Sequence, residues 1–165
     1  MDEQIPKGQG DQMLGTSTSD LADKEKNDPL EKRMVSKNWS VRAGAYEELQ
    51  KMCTDPNVPR GSKNDFFNQH FHEWKVYLKD SNPGALEKAL TCLQAFLDKI
   101  HKSLITAESK NAIISMLVEK CISHMKLVIK DKGIECLLLI FEVSENFEES
   151  EDCLCELIKH KNVKV

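Results

Sequence analysis

The sequence predicts an all-α fold, an α-solenoid of stacked helix pairs, on three observations. Only seven glycines and five prolines occur in 165 residues, most of them in the amino-terminal tail or in turns, which disfavours a turn-rich β architecture. Apolar residues recur at helical spacing. The whole pattern returns when the chain is shifted by 44 positions. Leu30, Trp74 and Val118 then align, followed by Met34, Leu78 and Ile122, Val41, Ala85 and Ile129, Leu49, Leu93 and Leu137, and Met52, Phe96 and Ile140. Ala45, Ala89 and Gly133 fall together as well, a small residue where two helices approach closely.

Taken in order, residues 1–28 are rich in Gly, Gln, Ser, Thr, Asp and Lys and read as a disordered acidic tail, because they hold too little apolar surface to offset the entropy of ordering. The helical domain spans 29–165. Its helices are expected at 29–36, 41–53, 64–79, 84–102, 107–125, 129–144 and 149–160, giving three complete repeats and the start of a fourth. Thr54–Ser62 connects the first and second units, and Asp80-Ser-Asn-Pro-Gly84 breaks the chain inside the second, since Pro83 disfavours helix at Asn82. Paired helices with a period of 40–47 are the signature of HEAT or armadillo repeats.

Composition narrows the function. Of 27 acids and 23 bases, seven and three lie in residues 1–28, so residues 29–165 hold 20 of each. A neutral body argues against a nucleic-acid binder with a basic field over the whole domain. No secretory signal is visible at the start, and Cys136–Phe141, the longest apolar stretch, is far too short for a bilayer. The six cysteines sit beside aliphatic residues within helical patterns, as buried small hydrophobes in a reducing cytoplasm. Cys153 and Cys155, like His70 and His72, are two apart on a helix and cannot close on one metal ion. Cys121 and His124 share a face but lack a third ligand. No catalytic frame is recognisable, so the expectation is a binding protein, without cofactor or metal and not an enzyme.

The turns inside the repeats carry the functional signal. In a stack, equivalent turns line up along one edge. They hold Lys37, Trp39 and Arg42 in the first unit and Ser81, Asn82 and Lys88 in the second. Lys126, Lys130 and Lys132 follow in the third, and Lys159, Lys161 and Lys164 in the fourth. Asp80, Glu87 and Asp131 are the acidic exceptions. Such a basic stripe attracts an acidic protein surface. Trp39, placed in a polar turn, has two readings: a cap on the first repeat's core, or an anchor for a partner. Trp74, at the position of Leu30 and Val118, is core.

The segment from Pro29 to Leu49, with Lys37-Asn-Trp-Ser-Val-Arg42 at its centre, resembles the opening of a TOG domain of the microtubule-polymerase class of microtubule-associated proteins. Lys79–Leu90 is similar to that family's second-repeat loop, Lys126–Glu135 to its third, and Lys161–Val165 to the beginning of its fourth. The likeness is greatest to the first TOG domain of a polymerase, incomplete at the C-terminus because a full domain has six HEAT repeats. The resemblance implies a monomeric module that binds the curved, unpolymerised αβ-tubulin heterodimer, with no nucleic acid and no membrane, at microtubules, spindle and centrosome. It implies Trp39 packing on β-tubulin, with Lys37, Val41 and Arg42 supporting or joining the contact. Ser81 and Asn82 serve in the second loop, Lys126 and Lys130 in the third, and Lys161 and Lys164 in the fourth. Leu127 and Val163 stand at the turn position of Trp39, so one aromatic serves the whole edge. The alternative is a generic HEAT scaffold holding a helical or acidic peptide on its helix faces.

Overall fold

The computed structural model describes residues 25–70, 73–99, 107–143, 151–152 and 155. They form helices α1 (Leu30–Met34), α2 (Trp39–Thr54), α3 (Arg60–His70), α4 (Trp74–Tyr77), α5 (Pro83–Lys99), α6 (Ala107–Met116) and α7 (Leu127–Val143). The second helices of the three units pack in succession, α2 on α5 and α5 on α7, while α1 packs on α2. This is the HEAT-type solenoid expected, with α5 enclosed on both flanks.

The 44-residue register is the core. Trp74, Val118, Met34, Leu78, Val41, Ala85, Ile129, Leu49, Leu93, Leu137, Phe96 and Ile140 are buried, and Leu30, Met52 and Ile122 are partly so. Trp74 meets Tyr77 and Phe96 edge-on, with ring centroids 5.6 and 5.9 Å away, a favoured aromatic geometry. The small-residue row marks the crossings. Ala45, Ala89 and Gly133 are all buried, and a Cβ added at Gly133 would stand 2.7 Å from the Cβ of Cys121.

Four boundaries differ from expectation. The helix expected at 64–79 is described as α3, ending at His70, and α4, running from Trp74 to Tyr77, with 71–72 outside the described residues. The connection expected at 54–62 is only 55–59, because α2 continues to Thr54 and α3 starts directly after Pro59, whose carbonyl accepts from Lys63 N. The helix expected at 107–125 continues α6 as a π-helical turn, Leu117–Ile122, whose Cys121 faces Gly133. Such widened turns are rare and short, and shift the side-chain register of the helix that holds them. Finally, α2, α5 and α7 begin at residues 39, 83 and 127, one or two residues earlier than expected and one repeat apart. Of the expected helix at 149–160, residues 151, 152 and 155 are helical and the rest lie outside the described residues. Most of the expected tail, 1–24, lies outside them too. Within 25–28, Glu25 accepts from Ser36 Oγ, and Asp28 pairs with Lys32 at 2.9 Å.

No helix among the described residues is long and apolar enough to cross a membrane. Of the five described cysteines, Cys53, Cys92, Cys121 and Cys136 are buried and Cys155 is exposed. Burial pushes the Cys53 thiol up to about 11 and that of Cys121 to about 12.

Two predictions follow from this packing. Gly133→Ala forces the Cys121 backbone to move and should lower stability by roughly 1–3 kcal/mol, read by thermal unfolding. An unchanged melting temperature would mean that the two helices can separate freely. Second, a thiol reagent at pH 8 should label Cys155 within its mixing time, and the four buried cysteines only as the protein unfolds. Mass spectrometry of the labelled peptides distinguishes the two classes.

Candidate partner-binding edge

The turns between first and second helices are built by one repeated local device. Ahead of α2, Asn38 N donates to Ser36 Oγ at 3.0 Å. One repeat later Asn82 N donates to Asp80 Oδ1 at 2.9 Å, and one further Lys126 N donates to His124 Nδ1 at 3.0 Å. Ser36, Asp80 and His124 are spaced by the repeat and do the same job: a side-chain acceptor folds over the N–H two residues on, as in an Asx or ST turn. The next helix is then capped. Asn38 Oδ1 accepts from Ser40 N at 3.0 Å, and Asn82 Oδ1 accepts from Gly84 N at 2.9 Å and Ala85 N at 3.2 Å. Pro83 fits the first helical position, where its missing N–H costs nothing.

A single arginine joins the first two turns. Arg42 donates from Nε to Asp80 Oδ2 at 2.6 Å and from Nη2 to Asp80 Oδ1 at 2.7 Å. Its Nη1 donates to the carbonyls of Ser36 at 2.7 Å and Lys37 at 3.2 Å. The Asp80 side chain is 3% exposed and that of Arg42 15%, so the pair is shielded but not dry. The hydrogen bonds to Asp80 raise the Arg42 pKa further, against the opposing effect of burial. Ser36, Arg42, Tyr46, Tyr77, Asp80 and Ser81 surround a recess of about 260 Å³ between these turns. A second recess of about 500 Å³, lined by Lys79, Ser81 and His124 among others, separates the second turn from the third.

Trp39 is the first residue of α2 rather than a turn residue; Asn38 caps the helix and frees the next position to be helical. Its indole is 49% exposed. The ring reaches toward the second unit, with Cζ3 3.6 Å from where a Cβ on Gly84 would be. The tryptophan is therefore on the rim and outside the core cluster, seated on the next repeat with much of its surface open.

The remaining expected site residues divide by what their side chains do. Lys37, Ser81 and Lys126 are exposed on the edge and Lys130 is half-buried in the first turn of α7. Among the described residues Lys37, Lys126 and Lys130 form no ion pair. Val41, in contrast, is 4% exposed on the buried side of α2, with little surface for a partner. All three Arg42 nitrogens are occupied within the chain, so this residue ties turns together and contributes little free charge. Asn82 likewise spends its side-chain oxygen on capping α5. Lys88 pairs with Glu47 at 2.7 Å, which thins the basic stripe in the second unit. Lys161 and Lys164 lie outside the described residues, as do Lys159 and Val163. Asp80, counted from sequence as an exception to the basic edge, is the residue that fastens it. Its position one repeat after Ser36 was the available signal.

No group of three or more His, Cys, Asp or Glu among the described residues could hold a metal ion. A stack of helix pairs whose helix-start turns form one edge, tipped by a half-exposed tryptophan, is a helical-repeat domain of the HEAT type. The chain belongs to the XMAP215/Dis1/CLASP TOG domain family, whose model matches residues 25–165. It is 32% identical over 116 residues to the spindle pole body component alp14 of Schizosaccharomyces pombe, covering 69% of this chain and 14% of that protein. It is 36% identical over 113 residues to the centrosomal protein 224 of Dictyostelium discoideum, covering 68% of this chain and 5% of that one. It is also 27% identical over 136 residues to protein mini spindles of Drosophila melanogaster, covering 82% of this chain and 6% of that protein. The chain thus spans a small part of the length of these relatives. Among solved structures it resembles one concerned with tubulin recruitment and assembly by microtubule polymerases with TOG domain arrays. The TM-score is 0.66 at 23% identity, covering 79% of this chain and 27% of that one, a likeness of fold.

Asp80→Ala should leave a shielded guanidinium unpaired and lower stability by about 2–3 kcal/mol, less than for a fully buried pair because Arg42 keeps some solvent. Arg42→Lys should recover only part of the loss seen in Arg42→Ala, since an ammonium cannot fork to both carboxylate oxygens. Chemical denaturation of the three variants checks both statements; equal stability of Arg42→Lys and the unaltered protein would contradict the bidentate reading.

Proposed function

We propose that this chain is a tubulin-binding module, docking the αβ-tubulin heterodimer through its turn edge and supporting microtubule assembly and dynamics. Family membership supports this reading, as do relatives named for the spindle pole and the centrosome and a fold neighbour concerned with tubulin recruitment. The observation that carries it is the half-exposed Trp39 at the start of α2, on an edge where Lys37 and Lys126 are exposed and form no ion pair among the described residues. An aromatic in that setting provides the buried anchor of an interface, and unpaired lysines around it speed encounter and set orientation.

The binding set under this reading is Trp39, Lys37, Ser81, Lys126 and Lys130. Arg42 and Asn82 hold the turns that carry these residues in place, Val41 is buried beneath the start of α2, and Lys161 and Lys164 extend the set into the fourth unit. The module works as a monomer without catalytic chemistry, and the protein that contains it acts at cytoplasmic microtubules, the spindle and its poles.

Trp39→Ala should weaken binding to αβ-tubulin at least tenfold, by the usual cost of losing an interface anchor. Its melting temperature should change little, because the indole is not in the core. Size-exclusion co-elution and calorimetry separate the outcomes: full binding with a lowered melting temperature would make Trp39 an internal cap. Affinity should also fall as salt rises, since screening weakens the contribution of the exposed lysines.

A further inference from the structure

Residues 25–28 precede the helical stack, yet they are fastened to its first turn. Asp28 N donates to the Glu25 carbonyl at 3.1 Å and closes a turn of the chain. Arg33 moors that turn to both helices of the first unit. Its Nε donates to the Asp28 carbonyl at 2.9 Å, and its Nη2 donates to Glu48 of α2 at 2.7 Å. The half-buried Glu25 is thereby brought back to Ser36, whose Oγ–H donates to Glu25 Oε2.

The chemistry of Ser36 makes this contact matter. Three side chains fold over the N–H two residues on, and two of them are a carboxylate, Asp80, and an imidazole nitrogen, that of His124. Ser36 is a hydroxyl, which rotates and presents either its proton or a lone pair to a neighbour. Glu25 takes the proton, so the lone pairs of Ser36 Oγ are left for Asn38 N at 3.0 Å. Asn38 Oδ1 in turn accepts from Ser40 N at 3.0 Å and from Ser40 Oγ at 2.9 Å, which starts α2 at Trp39. One line of hydrogen bonds thus runs from Glu25 to the residues on both sides of the exposed indole. Arg42 grips only the Ser36 carbonyl and leaves the hydroxyl free to turn.

We propose that Glu25 is a positioning residue for Trp39: by orienting the Ser36 hydroxyl it sets the start of α2 and the seat of the indole. Without the carboxylate the Ser36 O–H swings toward Asn38 N, the first turn loosens and the ring becomes more exposed. The effect on partner affinity rests on the tubulin-binding reading above, whereas the effect on the indole does not depend on it.

The test uses the full 165-residue chain, unaltered and as Glu25→Ala, Glu25→Gln, Ser36→Ala and the Glu25→Ala, Ser36→Ala double variant. Acrylamide, a neutral quencher of fluorescence, reports mainly on Trp39, because Trp74, the other tryptophan of the chain, is 1% exposed. Calorimetry gives Kd for αβ-tubulin. Glu25→Ala should raise the quenching constant and weaken binding roughly two- to fivefold, the usual scale for loosening a helix cap. Glu25→Gln loses the charge but keeps an acceptor oxygen, and should match the unaltered protein in both readouts. The double variant should match Ser36→Ala, since the carboxylate acts through the hydroxyl. Tighter binding by Glu25→Ala and Glu25→Gln alike would mean that the carboxylate only repels an acidic partner, and would overturn the proposal. So would an effect of Glu25→Ala that persists when Ser36 is already alanine. If the unaltered chain fails to bind tubulin, the tubulin reading falls and quenching decides the role of Glu25. Equal constants for Glu25→Ala and the unaltered protein then overturn it.

Discussion

The edge of this molecule depends on the pairing of Arg42 with Asp80. Helix packing alone positions the second helices through their cores, at a distance from the turns. The turns themselves are short polar segments that would each take their own conformation. Arg42 removes that freedom by holding the carbonyls of Ser36 and Lys37 with one nitrogen and the Asp80 carboxylate with the other two. An exposed ion pair would contribute at most about 1 kcal/mol, whereas this one is shielded, bidentate and backed by backbone acceptors. Asp80 in turn braces the N–H of Asn82, which caps α5, so one carboxylate organises the start of the next helix as well. Trp39 lies over that helix start, at Gly84. Its setting is therefore inherited from an interaction between two charged side chains.

The same architecture solves one local problem three ways. Each turn needs an acceptor for the N–H of the residue ahead of the second helix, and a hydroxyl, a carboxylate and an imidazole supply it in turn. What the repeat conserves between its own copies is a hydrogen-bond geometry, and residue type is free within it. The carboxylate also offers two charged oxygens to Arg42 of the preceding unit, which fastens the first and second turns together, whereas Leu86 stands at the position of Arg42 one repeat on. The second and third are separated by a recess instead.

This explains what could be read from the chain and what could not. The stack, its period and its buried rows follow from apolar spacing, because burial acts on whole side chains and leaves a periodic trace. The close crossing at Gly133 was visible for the same reason, since only small residues tolerate it. Helix starts were placed late because Asn38 and Asn82 carry both turn and cap propensity, and only the hydrogen bonds from Ser40 and Gly84 decide between them. The roles of Arg42 and Asn82 were hidden for a related reason: composition reports a charge or an amide on the edge, and not whether its atoms are already taken. Asp80 counted against a basic surface until its partner 38 residues earlier came into view.

A braced pair of turns also has a shape. Because Arg42 fixes the first turn against the second, these two turns present their side chains as one unit and not as two independent loops. A surface that meets Trp39 therefore meets the second turn in a set relation to it, because Trp39 and the start of α5 at Gly84 are positioned by the same pairing.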